Sequence, residues 1–290
     1  MSVTSPSTSV SAILDGLTDA PGQLAIFDFD GTLIHEDITE AVFQWCVDNR
    51  SLPDHPEWPS LDGLSFDAAP TEYYRAVADC ASADVPWGHY PGALLLAQAF
   101  AGSSLAELVR HTDQATLGLT LRQEACELLI GLRRLDFDIR IVSAGVAWCV
   151  RRFTHTVINP LLRSHRVGEI DLANVSGVTT LLSERGVPRL DRDLVSRGLP
   201  YLSGAEPDSH ALVITPFAGG PVAFAASKLA VLFEAGAERP TVAVGDGLAD
   251  AYLLAHARLG ITVGDLAVEL SQHVKRLGGE PPLHLMGATA

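Results

Sequence analysis

Four short apolar runs constrain this chain more than any other feature. They lie at 24–29 (LAIFDF), 139–143 (IRIVS), 241–245 (TVAVG) and 259–263 (LGITV). Runs this short, rich in branched residues and without polar alternation, are the pattern of parallel strands buried on both faces. Helical patterns follow at 146–158, 248–256 and 266–277. Strands alternating with helices predict an α/β fold with a parallel sheet covered on both sides. In such sheets ligands bind beyond the carboxyl ends of the strands, so those ends are where a site is expected.

Chemistry-bearing residues stand at three of those ends. The first run leads into FDFDGTL, with Asp28 and Asp30, and the third into VGDGLAD, with Asp246 and Asp250. Gly31 supplies the turn that can bring Asp28 and Asp30 over one cavity, although strand alternation would separate them. Asp246 and Asp250 stand one helical turn apart and can share a helix face. The second run ends in SAG, where Ser143 and the backbone N–H of Ala144 suit a phosphate oxygen. The chain has only two lysines, and Lys228 opens a helical pattern at 228–235 that leads into the third run.

Together these parts describe phosphoryl transfer. A carboxylate is a suitable nucleophile because an aspartyl phosphate is labile to water. A second carboxyl group can protonate the leaving alcohol and later deprotonate that water. Two anions beside a phosphate need a screening divalent cation such as Mg²⁺. A hydroxyl, backbone N–H groups and an ammonium complete the charge balance.

Between the first two runs, 35–120 carries helical patterns at 38–48, 71–80, 92–100 and 104–111, without strand-like alternation. A helical insert directly after the first strand would cover the site as a lid. Its tryptophans, Trp45, Trp58 and Trp87, read as insert core. The helix at 121–134 returns to the sheet. A turn-rich region at 167–221 contains a strand pattern at 167–175 and an apolar run at 211–217, and predicts one or two extra strands and a loop. The expected organisation is a disordered arm at 1–20, a core at 21–34 and 121–278, a cap at 35–120 and a tail at 279–290.

The formal charge of −15 argues against nucleic acid or an anionic membrane as partner, since both need a basic footprint. No apolar run approaches the ~20 residues of a membrane span. The first residues, MSVTSPSTSV, have neither the basic start nor the apolar block of a secretory signal. The scattered cysteines, Cys46, Cys80, Cys126 and Cys149, read as reduced thiols of a cytoplasmic protein.

With these motifs in this order, the chain resembles the haloacid dehalogenase (HAD) superfamily of phosphohydrolases over 23–34 and 121–277. The resemblance implies a Rossmann-like core and Mg²⁺. It makes Asp28 similar to the nucleophile and Asp30 to the general acid/base, whose backbone carbonyl also binds the metal. Ser143 resembles the phosphate-binding Ser/Thr and Lys228 the charge-neutralising lysine. Asp246 resembles a direct metal ligand, and Asp250 a metal-site or supporting acid. A helical insert after the first motif is similar to the cap of the phosphoserine phosphatase-like branch. There an acid nine positions after the nucleophile contacts the substrate amine, which here is Asp37, and a cap arginine, for which Arg75 is the candidate here, contacts the carboxylate. The chain departs from that pattern in reading DGT for DST and in its long segment between Ser143 and Lys228.

The expected activity is Mg²⁺-dependent hydrolysis of a small phosphorylated metabolite, with phosphoserine or a related amine-bearing phosphate as candidates. A phosphomutase or phosphotransferase on the same scaffold, and a catalytically silent phosphate-binding protein, stay open. A Schiff-base phosphonate-cleaving enzyme does not fit, because 35–120 contains no lysine.

Overall fold

The computed structural model describes residues 7–17, 23–54, 58, 60–61, 63–81, 91–203, 211–234 and 239–285. In chain order the strands are β1 (Ser7–Thr8), β2 (Leu24–Phe27), β3 (Asp138–Val146), β4 (Val175–Val178), β5 (Thr180–Glu184) and β6 (Val187–Arg189). They continue as β7 (Leu212–Ala218), β8 (Val242–Gly245), β9 (Leu259–Thr262) and β10 (Leu283–Leu285). Seven form one sheet in the order β1-β10-β9-β8-β2-β3-β4, and each of its pairings is parallel. All four strand runs read from the sequence are in this sheet, and three of them, β8-β2-β3, lie side by side at its centre. Ile26, Phe27, Ile141, Val242 and Val244 are completely buried there, as strands covered on both faces must be. No helix of the described residues is long and apolar enough to cross a membrane.

The segment after β2 contains helices Ile38–Asp48, Pro70–Ala81, Pro91–Ala99 and Leu105–Ala115. An aromatic cluster holds it together. Trp58 lies 4.3 Å from Phe66 by ring centroids, Phe66 meets Tyr73 edge-on at 5.8 Å, and Phe43 packs on Tyr74 at 5.8 Å. Trp45 packs against His111 at 5.0 Å. Trp87 lies outside the described residues. The two crossings of this insert are stitched by an antiparallel bridge, Ile34 to Leu121, and by the His35 amide on the Thr120 carbonyl (3.0 Å).

Three expectations are corrected, the first of them at both the arm and the tail. The expected disordered arm is structured over 7–17, where β1 pairs with β10 and Ser9 caps the helix Val10–Asp15, while 1–6 and 18–20 lie outside the described residues. Leu14 of that helix fits over Gly131, where a Cβ would stand 2.2 Å from its Cδ1. The tail contains β10, which is why 283–285 is strand.

The strand pattern at 167–175 is not a strand until Val175. Asn159 takes both backbone groups of Ile170, donating to its carbonyl (3.0 Å) and accepting its N–H (2.9 Å). Asp171 then accepts the Ala173 amide and starts a 3₁₀ turn, Leu172–Asn174. Side chains have claimed the groups a ladder would need.

The third correction is the number of extra strands. Besides β4, the chain builds a three-stranded antiparallel sheet, β6-β5-β7. Its β7 docks on the helical insert. The Gly102 amide bonds the Ile214 carbonyl and the Ile214 amide bonds the Ser103 carbonyl, both at 2.9 Å, while Gln98 donates to the Pro216 carbonyl at 2.7 Å. Arg152 adds a bidentate pair to Asp113 of the insert (2.7 and 2.8 Å).

Candidate active site

Where β2 stops, the chain turns at once. The Asp28 amide bonds the carbonyl of Val244 in β8 (2.9 Å), which holds the first acid beside the second motif. Gly31 adopts φ 71°, and a Cβ there would stand 2.2 Å from Asp246 Oδ2. Only glycine allows this backbone to lie against that carboxylate. The Thr32 hydroxyl follows, 3.0 Å from Asp28 Oδ2 and 3.3 Å from Asp246 Oδ1, and links the two acids.

Carboxylate oxygens of Asp28, Asp246 and Asp250 lie within 4.8 Å of one another. Lys228, near the start of helix Ser227–Glu234, reaches into this cluster. Its Nζ donates to Asp28 Oδ1 at 2.6 Å and to Asp250 Oδ1 at 2.5 Å, with only 2 % of the side chain exposed. Asp250 Oδ2 accepts the amides of Asp246 (3.1 Å) and Gly247 (3.2 Å), which fixes the turn after β8.

Three carboxylates against one ammonium leave an excess of negative charge. Burial, then Asp250 and Asp246, push the Asp28 carboxyl up to about 8, against the pull of Lys228. Burial and Asp250 likewise raise Asp246. Burial would lower Lys228, but Asp250 and Asp28 outweigh it and hold the ammonium above its ordinary value. The donor set of Asp28, Asp246 and Asp250 is oxygen only. Hard oxygen ligands and surplus negative charge are what a cation such as Mg²⁺ requires, so the residues fit one.

Asp30 is held apart from the three clustered acids. Its Oδ1 accepts the amide of Ile38 and its Oδ2 the hydroxyl of Ser143, both at 2.8 Å. The carboxylate is thus engaged with the insert and with β3. Burial, Asp37 and Asp28 raise its pKa well above the ordinary carboxylate range. Ser143, fully buried, also accepts the Gly145 amide (2.8 Å), so it meets the site through Asp30. Ala144 stands between them, inside β3 rather than after it. The register of β3 against β4 shifts between Val142 and Val146, which carries Ser143 into this irregular stretch.

Asp37 and Arg75 line one cavity of about 330 Å³ with Glu36, Glu40, Gln44 and Tyr74. Asp37 Oδ1 caps helix Ile38–Asp48 by accepting the Glu40 amide (2.8 Å), and burial with Glu40 beside it raises Asp37 to about 6. Tyr74 donates to Glu40 at 2.5 Å. Glu36 accepts the amide and hydroxyl of Thr120 (3.0 and 2.8 Å).

Sequence reasoning passed over three residues here. Thr32 sits inside a motif whose acids drew the attention. The Thr39 hydroxyl accepts the Val146 amide at 2.8 Å, and Arg122 Nε donates to the Gly31 carbonyl at 2.9 Å. Neither Thr39 nor Arg122 carries a signal in one sequence, because both act on backbone that is distant along the chain.

No family model matches the chain, and no curated protein matches it by sequence. Solved structures do match it. A conserved functionally unknown protein from Anaerococcus prevotii aligns over 100 % of this chain and 99 % of its own, with TM-score 0.56 and 14 % identity. A protein of unknown function from Bordetella pertussis aligns over 92 % and 99 %, with TM-score 0.55 and 14 % identity. A HAD family hydrolase from Salmonella enterica serovar Typhi aligns over 92 % of this chain and 68 % of its own, with TM-score 0.50 and 16 % identity. At these identities it is the path of the backbone that is shared, and the chain has the α/β, Rossmann-like fold of the HAD hydrolases.

Proposed function

We propose that the chain is a Mg²⁺-dependent phosphomonoesterase that works through an aspartyl phosphate on Asp28. The observation that carries this reading is the buried Lys228 ammonium 2.6 Å from Asp28 Oδ1, inside a cluster of three carboxylates. An ammonium there neutralises phosphate charge at the attacking carboxylate. Asp28 and Asp246 would hold the Mg²⁺ with the backbone carbonyl of Asp30, and Asp250 would support them. The bound ion would screen the acids and the phosphate and orient the phosphoryl group.

An Asp28 oxygen forms the new bond to phosphorus as the ester P–O bond breaks. Asp30, whose burial favours the protonated form, gives its proton to the leaving oxygen. The same carboxylate then takes a proton from water, which attacks phosphorus, releases phosphate and restores Asp28. Ser143 keeps Asp30 in place, and the Ala144 amide is the proposed contact for a phosphate oxygen.

The proposed substrate is a small phosphorylated metabolite, with an amine-bearing phosphate favoured by the acids beside Asp37 in the cavity that also holds Arg75. A cytoplasmic setting suits the free, buried thiols of Cys46, Cys126 and Cys149. The experiment is hydrolysis of p-nitrophenyl phosphate with Mg²⁺ and with excess chelator. Turnover is expected with the ion and none without it; inertness toward this ester and a broad phosphate panel would refute the reading.

Asp37→Asn tests the substrate class, because the amide retains the helix cap and loses the charge. It is expected to lower kcat/KM for amine-bearing phosphates about tenfold, the scale of one charge-assisted contact. Amine-free phosphates should be nearly unaffected. Equal losses in both sets would remove Asp37 from recognition.

A further inference from the structure

Around the loop that carries Asp30 the chain makes a closed circuit of contacts. The Gly31 amide bonds the Glu36 carbonyl at 3.3 Å. The Glu36 carboxylate grips both the amide and the hydroxyl of Thr120. Two residues on, the Arg122 amide bonds the Leu33 carbonyl at 3.0 Å, and Arg122 Nε returns to the Gly31 carbonyl at 2.9 Å. The Gly31 residue is therefore fixed at both its N–H and its C=O, by the two places where the helical insert leaves and rejoins the core.

Arg122 is suited to hold that loop and not to serve elsewhere. Its side chain is only 15 % exposed. Its ion pair with Glu124, at 3.3 Å, uses Nη1 and leaves Nε on Gly31. It precedes helix Gln123–Arg134 without capping it through its side chain. A Cβ on Gly264 would lie 3.7 Å from Arg122 Nη2 and 4.0 Å from the Asp246 Cβ, so the guanidinium and this acid flank the same glycine. A planar guanidinium loses little freedom in making such a bond, whereas an ammonium on a flexible stem is not so fixed.

We infer that Arg122 is a positioning residue. By fixing the Gly31 carbonyl it keeps the Asp30–Gly31–Thr32 turn against Asp246, and so sets the spacing of the acids that take the cation. The inference rests on the proposed function for the identity of that cation. It adds a residue outside the motifs, and it makes the root of the helical insert part of the ion site. Supports one step removed from a metal ligand typically change metal affinity 10- to 100-fold when lost.

The test is Mg²⁺ titration by calorimetry of the native protein, Arg122→Met and Arg122→Lys, with p-nitrophenyl phosphate turnover and metal-free Tm measured alongside. Arg122→Met is expected to raise the Mg²⁺ Kd about tenfold or more. At saturating Mg²⁺ its kcat falls, while inhibition by inorganic phosphate, which depends on Lys228, keeps its constant within about twofold. Arg122→Lys lies between the two, since it restores charge without the fixed fork. A folded Arg122→Met with native Mg²⁺ affinity would overturn the inference while leaving the proposed function standing. A merely structural role would lower metal-free Tm without moving the Kd, and that result also overturns it. If Arg122→Met does not fold, Arg122→Lys decides in the same way: a native Kd sinks the inference. A native protein that takes up no Mg²⁺ would sink both it and the proposed function.

Discussion

Asp28→Asn is expected to lower kcat by roughly 10⁴-fold or more, the scale on which a lost nucleophile is felt, while the fold persists. The amide oxygen can still accept from Lys228, so the buried ammonium keeps both of its partners. The second part of the prediction concerns pH. The Asp28 carboxyl, at about 8 in the folded metal-free chain against the ordinary 3.8, binds its proton more tightly folded than unfolded. Its contribution to stability is complete below the ordinary value and is lost as pH rises through about 8. Asparagine has no such proton to lose. Metal-free native protein should therefore lose more Tm between about pH 4 and about pH 8 than the variant does. Saturating Mg²⁺ should shrink the difference by cancelling the repulsion. Thermal melts across this range, with chelator and with Mg²⁺, measure it, and parallel curves for the two proteins would contradict the charge balance drawn here.

Lys228→Met has the second largest expected effect, and it acts on both stability and chemistry. Removing one partner of a buried ion pair leaves uncompensated charge and costs about 3 kcal/mol or more. Here two carboxylates, Asp28 and Asp250, lose their common ammonium. Loss of a fixed donor at the phosphoryl group is expected to lower kcat/KM about 10²- to 10³-fold. Adding Asp250→Asn separates the two roles. The double variant should regain part of the lost stability, because one of the stranded anions is gone, and should regain none of the activity. Denaturant melts and steady-state kinetics on the single and double variants check this. A single variant with native kcat/KM would remove Lys228 from the chemistry.

The parts of the site that were legible in the sequence are those written in local pattern. Asp28, Asp246 and the DGT and GDG turns follow strands whose apolar runs are unmistakable, and parallel topology alone brings such strand ends together. The insert's four helices were also legible, from their spacing and from the Pro- and Gly-rich loops between them.

What escaped depends on partners distant along the chain. β1 is two residues long and exists because β10 offers it an edge. The strand pattern at 167–175 loses to Asn159, whose amide satisfies Ile170 instead. The described residues of 167–221 hold four strands, β4 and the sheet β6-β5-β7, where one or two were expected, because the short members have weak alternation and gain their stability from pairing. The docking of that sheet on the insert through Ile214 and Gln98 likewise has no local signature. The motif at Ser143 was found, but its bond to Asp30 depends on an irregular stretch of β3 that periodicity does not foretell.

The central claim is that Asp28, Asp246 and Lys228 meet around one cation and one phosphoryl group. A crystal structure of the protein with Mg²⁺ and beryllium fluoride, which mimics a phosphoryl group on a carboxylate, tests it most directly. The account predicts beryllium bonded to an Asp28 carboxylate oxygen, a fluoride within hydrogen-bond reach of Lys228 Nζ, and Mg²⁺ coordinated by Asp28 and Asp246. Beryllium fluoride absent from Asp28 at saturating concentration, or Mg²⁺ bound away from both acids, would contradict it.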